Sequence, residues 1–285
     1  MLISLIICTR NRSSSLRRCL EYIKCLESPG DWELVVVNNG SSDDTAELLK
    51  SFREEVPFRV VMVEEPKSGL GRARNAGIAA TTGEILAFTD DDCYVSPDFL
   101  KQIVEVFKND KVGYMGGRVL LYDAGDSPET IRTETEIRLI EPHSFIRAGE
   151  LHGANMAVRK SLVAKIGAFD PQFGAGAQFP SGEDVDFQAR ASASGATGIY
   201  HPGPLVWHHH GRKPGGRYEK LMRGYHSGRG AYYAKFILNP ETRMLFLKNW
   251  YWAARKQFQE GKPGVILREI AGAVRYVLTR VSNQS

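Results

Sequence analysis

Residues 83–92, with the sequence GEILAFTDDD, join an apolar run to three consecutive carboxylates. The run from Ile85 to Phe88 is typical of a short buried strand. Because like charges on adjacent residues repel, Asp90, Asp91 and Asp92 must each be hydrated, paired or bound to a cation. Carboxylate oxygens at the end of a buried strand suit a hard divalent cation. A solvated acidic turn that leads into the next helix explains this stretch alone equally well.

Three further pairs of an apolar segment and a helical segment precede this strand. The predicted strands are Leu2–Cys8, Leu34–Val37 and Arg59–Val63. The predicted helices are Ser14–Glu27, one that passes through Leu48 and Leu49, and Arg72–Ala80. Strands that alternate with helices predict βαβ units and a mostly parallel sheet with both faces covered.

Polar residues directly follow three of these strands, at positions 9–10, 38–41 and 90–92. Ligands of open parallel sheets bind at the carboxyl ends of the strands. We therefore expect the three polar clusters to line one edge of the sheet. An isolated acidic turn does not predict the other two clusters, so their presence favours a binding site.

No glycine-rich phosphate-binding motif follows the first strand. The chain has neither GxGxxG at that point nor GxxxxGK[ST] anywhere, which disfavours dinucleotide-binding and P-loop folds. Phosphates must then be held by a metal ion together with basic side chains, for which Lys67, Arg72 and Arg74 are the candidates. For each of them alone, a solvated helix face is an equally good interpretation.

The composition is that of a soluble globular protein, with 285 residues, 42% hydrophobic and 25% charged. This length suits one large domain, or one domain with an appendage. The apolar start, Met1–Cys8, has no basic region before it, and no apolar run reaches the ~18 residues that span a bilayer. The four cysteines lack metal-ligand or disulfide spacing. The sequence thus predicts a cytoplasmic protein.

The patterns are weaker between the aspartates and residue 210. We predict an extended segment at Val112–Leu121, a polar helix or mobile segment at Thr130–Ile140, and a helix at Lys160–Ile166. Residues 173–182 are rich in Gly, Ala and Pro, which predicts a loop. A brief strand is expected at Ile199–Tyr200.

Seven short segments carry a resemblance to a known family. They are CTRNR at 8–12, NNGSSD at 38–43, GRARNAG at 71–77, FTDDD at 88–92, GAN at 153–155, GEDVD at 182–186 and VWH at 206–208. Over residues 2–210 the chain resembles the family 2 glycosyltransferases, which are inverting enzymes with a GT-A fold. Each segment alone is weak evidence, but all seven occur in the order in which that family carries them.

The resemblance implies an α/β fold of the GT-A type, a three-layer αβα sandwich with a mostly parallel central sheet. Residues 1–210 would form the catalytic domain. Its nucleotide-sugar half would span about 1–112 and its acceptor half about 113–210. A helical extension would follow at 211–285.

The resemblance also implies a role for the aspartates. Asp90 and Asp92 look like the DxD pair of the family, which holds Mn²⁺ or Mg²⁺ against the diphosphate of a nucleotide sugar. Asp92 would bind the cation, Asp90 would help with either the ribose or the metal shell, and Asp91 adds a third carboxylate on the donor side, with no assigned role. His208 is placed to be a further metal ligand, although three adjacent histidines also suit a surface turn.

Asp184 matches the catalytic base of the family, which deprotonates the acceptor hydroxyl as it attacks opposite the diphosphate. The alternative is that Asp184 caps the helix that begins there. Glu183 would orient the acceptor. Asp186 is expected to pair with Arg190, one helical turn later.

The remaining assignments also come from the resemblance. The nucleotide-sugar pocket would contain Thr9, Arg10, Asn39, Ser41, Lys67 and Arg74, in addition to Asp90 and Asp91. The donor sugar or the acceptor would contact Gly153, Ala154 and Asn155.

The chain departs from the family pattern in two respects. Asn38 and Asn39 stand where the family often has Asp after the second strand, which makes the usual uridine preference less secure. A UDP-sugar is still the favoured donor. There is also no QxxRW-like motif, which processive relatives carry, so the sequence predicts transfer of a single sugar.

From Leu205 to the end the chain has 15 Lys and Arg against 4 Asp and Glu, a net charge of +11. Apolar residues at helical spacing predict two or three amphipathic helices in this tail. Either the tail packs on the catalytic domain or on a partner chain, including a second copy, or it contacts an anionic membrane. The helical spacing and the lack of a recognition motif argue against nucleic acid.

The sequence therefore predicts an inverting, metal-dependent glycosyltransferase. It would move one sugar from a nucleotide donor to a glycan or lipid-linked acceptor, in cell-surface polysaccharide or glycolipid synthesis. Two alternatives stay open. One is a nucleotidyltransferase, although this chain lacks the glycine-rich basic loop expected of that class. The other is a catalytically silent scaffold that binds sugar nucleotides.

Overall fold

The computed structural model describes residues 1–28, 30–213 and 215–282. These form a nine-stranded sheet, the helices that cover its two faces, and three helices at the end of the chain. The strands are β1 Ile3–Thr9, β2 Trp32–Asn38, β3 Arg59–Glu64, β4 Ile85–Asp90, β5 Cys93–Val95, β6 Val112–Leu121, β7 Arg138–Ile140, β8 Met156–Arg159 and β9 Thr197–His208. The helices are α1 Ser13–Lys24, α2 Thr45–Glu55, α3 Leu70–Ala80, α4 Phe99–Phe107, α5 Lys160–Ile166, α6 Glu183–Ala193, α7 Gly216–Ile237, α8 Arg243–Gln259 and α9 Pro263–Ser282.

The sheet has the strand order β3-β2-β1-β4-β8-β6-β9-β5, and β7 pairs with β9. The first four strands are parallel, whereas β8 runs antiparallel to both β4 and β6. In the parallel part Thr9 pairs with Asn38, and Cys8 pairs with Asp90. This register places the polar ends of three strands at one edge, as the sequence predicted.

Alternate residues of the central strands face two separate apolar layers. Ile6, Val35 and Phe88 lie in the layer that also contains α3 and α6. Leu5 and Val36 face the opposite layer, which α1, α2 and α4 cover. Strands that are buried on both faces read as continuous apolar runs, which is why their positions could be predicted from the sequence.

Two predicted elements differ from the structure. The segment Thr130–Ile140 is not helical: Arg132 bridges to Val119, and β7 pairs with β9. These partners are distant in sequence, so no local pattern indicates them. The predicted brief strand at Ile199–Tyr200 is the start of a twelve-residue strand. Its pattern is interrupted by a Pro-Gly-Pro run at 202–204, which lies within a shift of the strand register.

The tail forms three helices, and α7 packs both on α9 and on the rest of the molecule. The Tyr232 hydroxyl donates to the Ile146 carbonyl over 2.7 Å. The ammonium of Lys235 lies 2.7 Å from Asp170 and 2.6 Å from Asp186. Helix α7 therefore packs on residues 1–210, which is one of the alternatives predicted for the tail.

The crossing of α7 and α9 requires glycine. A Cβ on Gly272 would overlap the carbonyl of Ser227, and a Cβ on Gly230 would overlap the carbonyl of Glu269. The backbones of α7 and α9 therefore approach more closely than any residue with a Cβ would allow at these two positions.

Candidate active site

A cavity of about 580 Å³ opens at the carboxyl ends of β1 and β4. Residues from both halves of the sheet and from the tail line it. They include Thr9, Arg10, Arg12, Asn39, Arg74, Asp90, Asp91, Asp92, His152, Gly153, Ala154, Glu183, Asp184, His208, Arg212, Leu221, Met222, Tyr225 and Arg229. Most of the predicted site residues thus meet in one place, although the chain brings them from segments far apart.

The three aspartates have different surroundings. Asp90 is partly exposed, whereas Asp91 and Asp92 are buried. The Thr9 hydroxyl donates to Asp91 over 2.7 Å. The guanidinium of Arg12 lies 3.1 Å from Asp91 and 2.7 Å from Asp92. Asp91 therefore joins the ends of β1 and β4 through Thr9 and Arg12.

The pKa values of the two buried carboxyls move in opposite directions. Burial raises the pKa of Asp91 to about 7, and the nearby charge of Arg12 offsets this effect only in part. Burial also acts on Asp92, but His208 and Arg12 outweigh it and hold the pKa of that carboxyl well below its usual range. Of these two carboxyls, Asp92 is consequently the one that stays ionised more firmly.

Asp90, Asp92, Cys93 and His208 bring four potential ligand atoms within 4.8 Å of one another. Burial raises the pKa of the Cys93 thiol well above its usual value, so this group remains a weakly binding thiol. Two carboxylates and one imidazole remain, a donor set that fits Mn²⁺ or Mg²⁺. The three residues predicted as metal ligands are therefore close enough to act together.

The imidazole of His208 is held from both sides. Its Nε2 lies 3.3 Å from Asp92, and its Nδ1 lies 3.2 Å from the Thr130 hydroxyl. His209 contacts the Tyr94 hydroxyl instead, and His210 faces Asp126. Of the three adjacent histidines, only His208 lines the cavity.

Arg74 is buried at the centre of the cavity wall. Its guanidinium lies 3.3 Å from Asp90 and 3.1 Å from Glu183, and it stacks over the ring of Phe169. A Cβ on Gly153 would come within 2.8 Å of this guanidinium, so the glycine leaves room for it. Arg74 therefore connects the aspartate strand to helix α6.

Helix α6 begins at Glu183 and is preceded by Gly182, whose φ is +97°. Asp184 is thus the second residue of the helix, and its Oδ1 accepts from the Val185 backbone amide over 2.8 Å, so a role in the first turn of the helix stays an alternative to that of a base. Its Oδ2 accepts a hydrogen bond from the Gly153 amide over 3.0 Å. Burial and the neighbouring Asp184 raise the pKa of Glu183 to about 7, against the opposing effect of Arg74. The predicted pair of Asp186 with Arg190 is present at 3.0 Å.

A model of the family described as glycosyl transferase family 2 matches residues 4–167, more than half of the chain. The chain belongs to this family. Among its curated relatives, glycosyltransferase AglE of Haloferax volcanii is 29% identical over 196 residues, or 68% of this chain. An uncharacterized glycosyltransferase of Nostoc sp., alr2836, is 37% identical over 116 residues, or 40% of this chain. The aligned region covers 62% of AglE and 36% of the Nostoc protein.

Solved structures show the same fold. The mannosyltransferase PcManGT from Pyrobaculum calidifontis, in complex with GDP-Man and Mn²⁺, superposes with a TM-score of 0.67 at 19% identity. The match covers 98% of this chain and 79% of that one. S. aureus TarS 1–349 in complex with UDP-GlcNAc gives a TM-score of 0.63 at 16% identity, over 86% of this chain and 69% of that one. The predicted GT-A fold of this family 2 protein is thereby confirmed.

Three residues predicted from the family pattern lie outside the cavity lining. The Ser41 hydroxyl accepts from the Asn11 amide over 2.9 Å. Lys67 is exposed, and so is Arg72, which the sequence analysis named separately as a basic candidate for the phosphates. Asn155 is buried, and its amide donates to the carbonyls of Arg118 and Pro204. These assignments have no support from the cavity lining and stay predictions.

Asn39 lines the cavity, but its side chain is already in use. Its Nδ2 donates to the carbonyls of Glu65 and Lys67 over 2.7 and 2.8 Å. Its Oδ1 accepts from the Gly69 amide over 3.0 Å. The amide therefore shapes the loop before α3 and has little capacity left for a nucleotide base.

Some residues of the site were not assigned from the sequence. Arg12 could have been found, because it follows β1 closely and β1 neighbours the aspartate strand. Leu221, Met222, Tyr225 and Arg229 gave no such signal. They reach the cavity only because α7 packs against it, which no local pattern in the tail indicates.

Proposed function

We propose that this protein is an inverting glycosyltransferase that moves a single sugar from a nucleotide-diphosphate sugar to the hydroxyl of a glycan or lipid-linked acceptor. Such a reaction belongs to the synthesis of cell-surface polysaccharide or glycolipid. The observation that supports it best is that one cavity contains both the ligand set Asp90, Asp92 and His208 and the carboxylate of Asp184.

The two carboxylates of α6 are suited to different tasks. Glu183 is buried and paired with Arg74, and its pKa of about 7 leaves it partly protonated at neutral pH. Asp184 is only half-buried and lines the cavity. A base must reach the proton that it removes, so we assign deprotonation of the acceptor to Asp184. Its bond from the Gly153 amide fixes the orientation of the carboxylate.

Asp90, Asp92 and His208 would hold Mn²⁺ or Mg²⁺. When bound, such a cation neutralises the charge that develops on the departing diphosphate. Both carboxylates lie at the same edge of the sheet. Ion pairs with Arg12 and Arg74 fix their orientation. Manganese is a reasonable first choice because PcManGT is described in complex with Mn²⁺.

A UDP-sugar is the donor that we propose, on the family pattern. One structural neighbour is described with UDP-GlcNAc and another with GDP-Man, so both nucleotides must be tried. The test is a panel of UDP-, GDP-, ADP- and CDP-sugars with Mn²⁺, read by thermal stabilisation and by slow hydrolysis of the donor. We expect one nucleotide class to stabilise the protein and to be hydrolysed. Binding without hydrolysis or transfer would favour a silent scaffold, and no response to any donor would contradict the proposal.

We also propose that the tail contacts the cytoplasmic face of an anionic membrane. Across the part of the chain that the structure describes, no helix combines the length and apolarity needed to cross a bilayer. The outer faces of α8 and α9 nevertheless expose many large apolar side chains. They are Met244, Leu247, Tyr251, Trp252 and Phe258 on α8, and Leu267, Ile270, Val274, Val277, Leu278 and Val281 on α9.

Basic residues accompany this apolar face, including Arg255, whose guanidinium stacks over the Trp252 ring. Apolar and cationic side chains together suit the headgroup region of anionic lipids, where each basic residue contributes about 1 kcal/mol. A second copy of the chain is the competing occupant. Flotation with anionic and neutral vesicles separates the two, and Trp252→Ser with Leu278→Ser should weaken flotation. Leu139→Ser, an exposed apolar residue of β7, is the control. Equal flotation of all three proteins would refute membrane contact.

A further inference from the structure

The cavity wall contains five arginines, of which three form ion pairs with carboxylates. Arg12, Arg74 and Arg229 are in ion pairs with residues of the site or of the tail. Over residues 1–28, 30–213 and 215–282, Arg10 and Arg212 have no carboxylate within ion-pair distance. An unpaired guanidinium in a cavity is free to bind an anion. Arg10 belongs to the predicted nucleotide pocket, but neither the sequence pattern nor the family resemblance assigned Arg212.

Arg212 lies close to the candidate metal ligands. It is in the loop between β9 and α7, four residues after His208. Its Nη1 is 3.5 Å from the Thr130 hydroxyl, the same hydroxyl that lies 3.2 Å from Nδ1 of His208. The other ring nitrogen of His208 faces Asp92. A single hydroxyl thus separates this guanidinium from the imidazole, and most of its five N–H donors remain unused.

The loop that carries Arg212 is fixed by the buried side chain of Asp126. This carboxylate accepts from the Gly211 amide over 2.8 Å and lies 3.3 Å from the ammonium of Lys213. The Ser127 amide also donates to the carbonyl of Arg212 over 2.8 Å. The backbone on both sides of Arg212 is therefore held, while its side chain lines the cavity.

We propose that Arg212 binds the diphosphate of the nucleotide-sugar donor, and that Asp126 positions it. The proposal rests on the proposed function and names a phosphate contact that the family resemblance did not provide. The earlier candidates are less suitable, because Lys67 and Arg72 lie outside the cavity lining and Arg74 is engaged by Asp90 and Glu183. A planar guanidinium beside the metal ligands can donate two parallel hydrogen bonds to phosphate oxygens.

The test uses Arg212→Met, which keeps an unbranched apolar side chain and removes the guanidinium with its charge. Binding of UDP and GDP in the presence of Mn²⁺ is measured by calorimetry and compared with binding of uridine and guanosine. We expect about tenfold weaker binding of the preferred diphosphate and less than twofold change for its nucleoside. Arg53→Met is the matched control, because it makes the same change in charge at an exposed position of α2 outside the cavity lining, and it should bind like the wild type.

Unchanged diphosphate affinity in Arg212→Met overturns the proposal and leaves the proposed function intact. A wild-type protein that binds no diphosphate overturns both. Asp126→Asn provides the second measurement, because a positioning residue should act through Arg212. We expect Asp126→Asn to weaken diphosphate binding, and the double variant to bind no more weakly than Arg212→Met alone. Additive losses would refute the positioning role of Asp126.

Discussion

The guanidinium of Arg74 lies 3.1 Å from the carboxylate of Glu183, although 109 positions separate the two residues in the chain. Both are buried, and the other side of the guanidinium reaches Asp90. This contact ties the helix that carries the candidate base to the strand that carries the candidate metal ligands. Arg74 therefore helps to set the position of the candidate base relative to the candidate metal ligands.

Replacing Arg74 by Met should destabilise the fold. The change leaves Glu183 buried without its partner, which costs about 3–5 kcal/mol in comparable buried pairs. The loss should be larger at pH 8 than at pH 6, because an unpaired Glu183 resists ionisation. Denaturant unfolding at the two pH values measures this. Arg17→Met, which removes an exposed arginine 3.9 Å from Asp44, should change stability by less than about 0.5 kcal/mol. If Arg74→Met with Glu183→Gln is as unstable as the sum of the single changes, the pair is not coupled.

Asp184→Asn should abolish turnover while donor binding persists. The amide keeps the size of the side chain but cannot take a proton, and loss of a general base typically costs about 10²–10⁴-fold in rate. Donor hydrolysis or transfer gives the rate, and calorimetry gives the affinity. Asp44→Asn removes an exposed carboxylate and should leave both unchanged. Normal turnover by a folded Asp184→Asn protein would eliminate this residue as the base.

Stability should decrease as the pH rises, because of Asp91. The pKa of this carboxyl is raised from 3.8 to about 7 in the folded protein, so the stability that it contributes is fully present below about pH 4. That stability is lost as the pH rises through 7. Asp91→Asn has no such loss, so its free energy of unfolding relative to wild type should improve by about 2–4 kcal/mol from pH 4 to pH 8. The free energies of unfolding of wild type and Asp91→Asn are measured against pH in the presence of a chelator. A constant difference between the two proteins across this range would contradict the prediction.

His208 and His209 offer a matched pair for the metal site. His208→Gln removes the imidazole beside Asp92, and we expect Mn²⁺ to bind at least about tenfold more weakly. His209→Gln changes the adjacent residue, whose ring contacts Tyr94 and Tyr122 away from the cavity, and should leave the affinity unchanged. Titration followed by the electron paramagnetic resonance of free Mn²⁺ measures both. Equal affinities would remove His208 from the ligand set.

Gly272→Ala should loosen the tail. Its Cβ would overlap the Ser227 carbonyl, so α7 and α9 must separate, at a cost of about 1–3 kcal/mol or more. Gly264 is on the same helix, and a Cβ there would meet only the flexible end of Arg268 at 3.7 Å. Gly264→Ala should therefore be neutral or slightly stabilising. Thermal melting compares the two, and equal melting temperatures would show that the crossing is not tightly packed.

The first half of the fold could be predicted because its strands are local apolar runs with polar ends. The register of Cys8 with Asp90 then follows from parallel pairing alone. The second half could not be predicted to the same extent. There β8 runs antiparallel, and the long strand β9 is divided by prolines, so its extent depends on partners distant in sequence.

The site residues also divide into those that the sequence could predict and those whose contacts depend on tertiary structure. Asp90 and Asp92 were predicted as metal ligands from carboxylates at a strand end, and His208 from the family resemblance; the structure brings all three together. Asn155 and Ser41 were assigned by motif alone, and tertiary structure uses both for backbone hydrogen bonds. A motif gives the position of a side chain in the chain, but the direction in which it points depends on packing.

The carboxylate of Glu269 has a consequence for how the molecule unfolds. It is completely buried on α9, and it accepts from Arg229 of α7 and from Trp250 and Gln257 of α8. Releasing α8 and α9 would leave this charge and that of Arg229, a residue of the cavity wall, without partners. The three tail helices cannot fray one by one at low cost. We therefore expect the chain to melt in a single cooperative transition, in which the cavity and the tail are lost together.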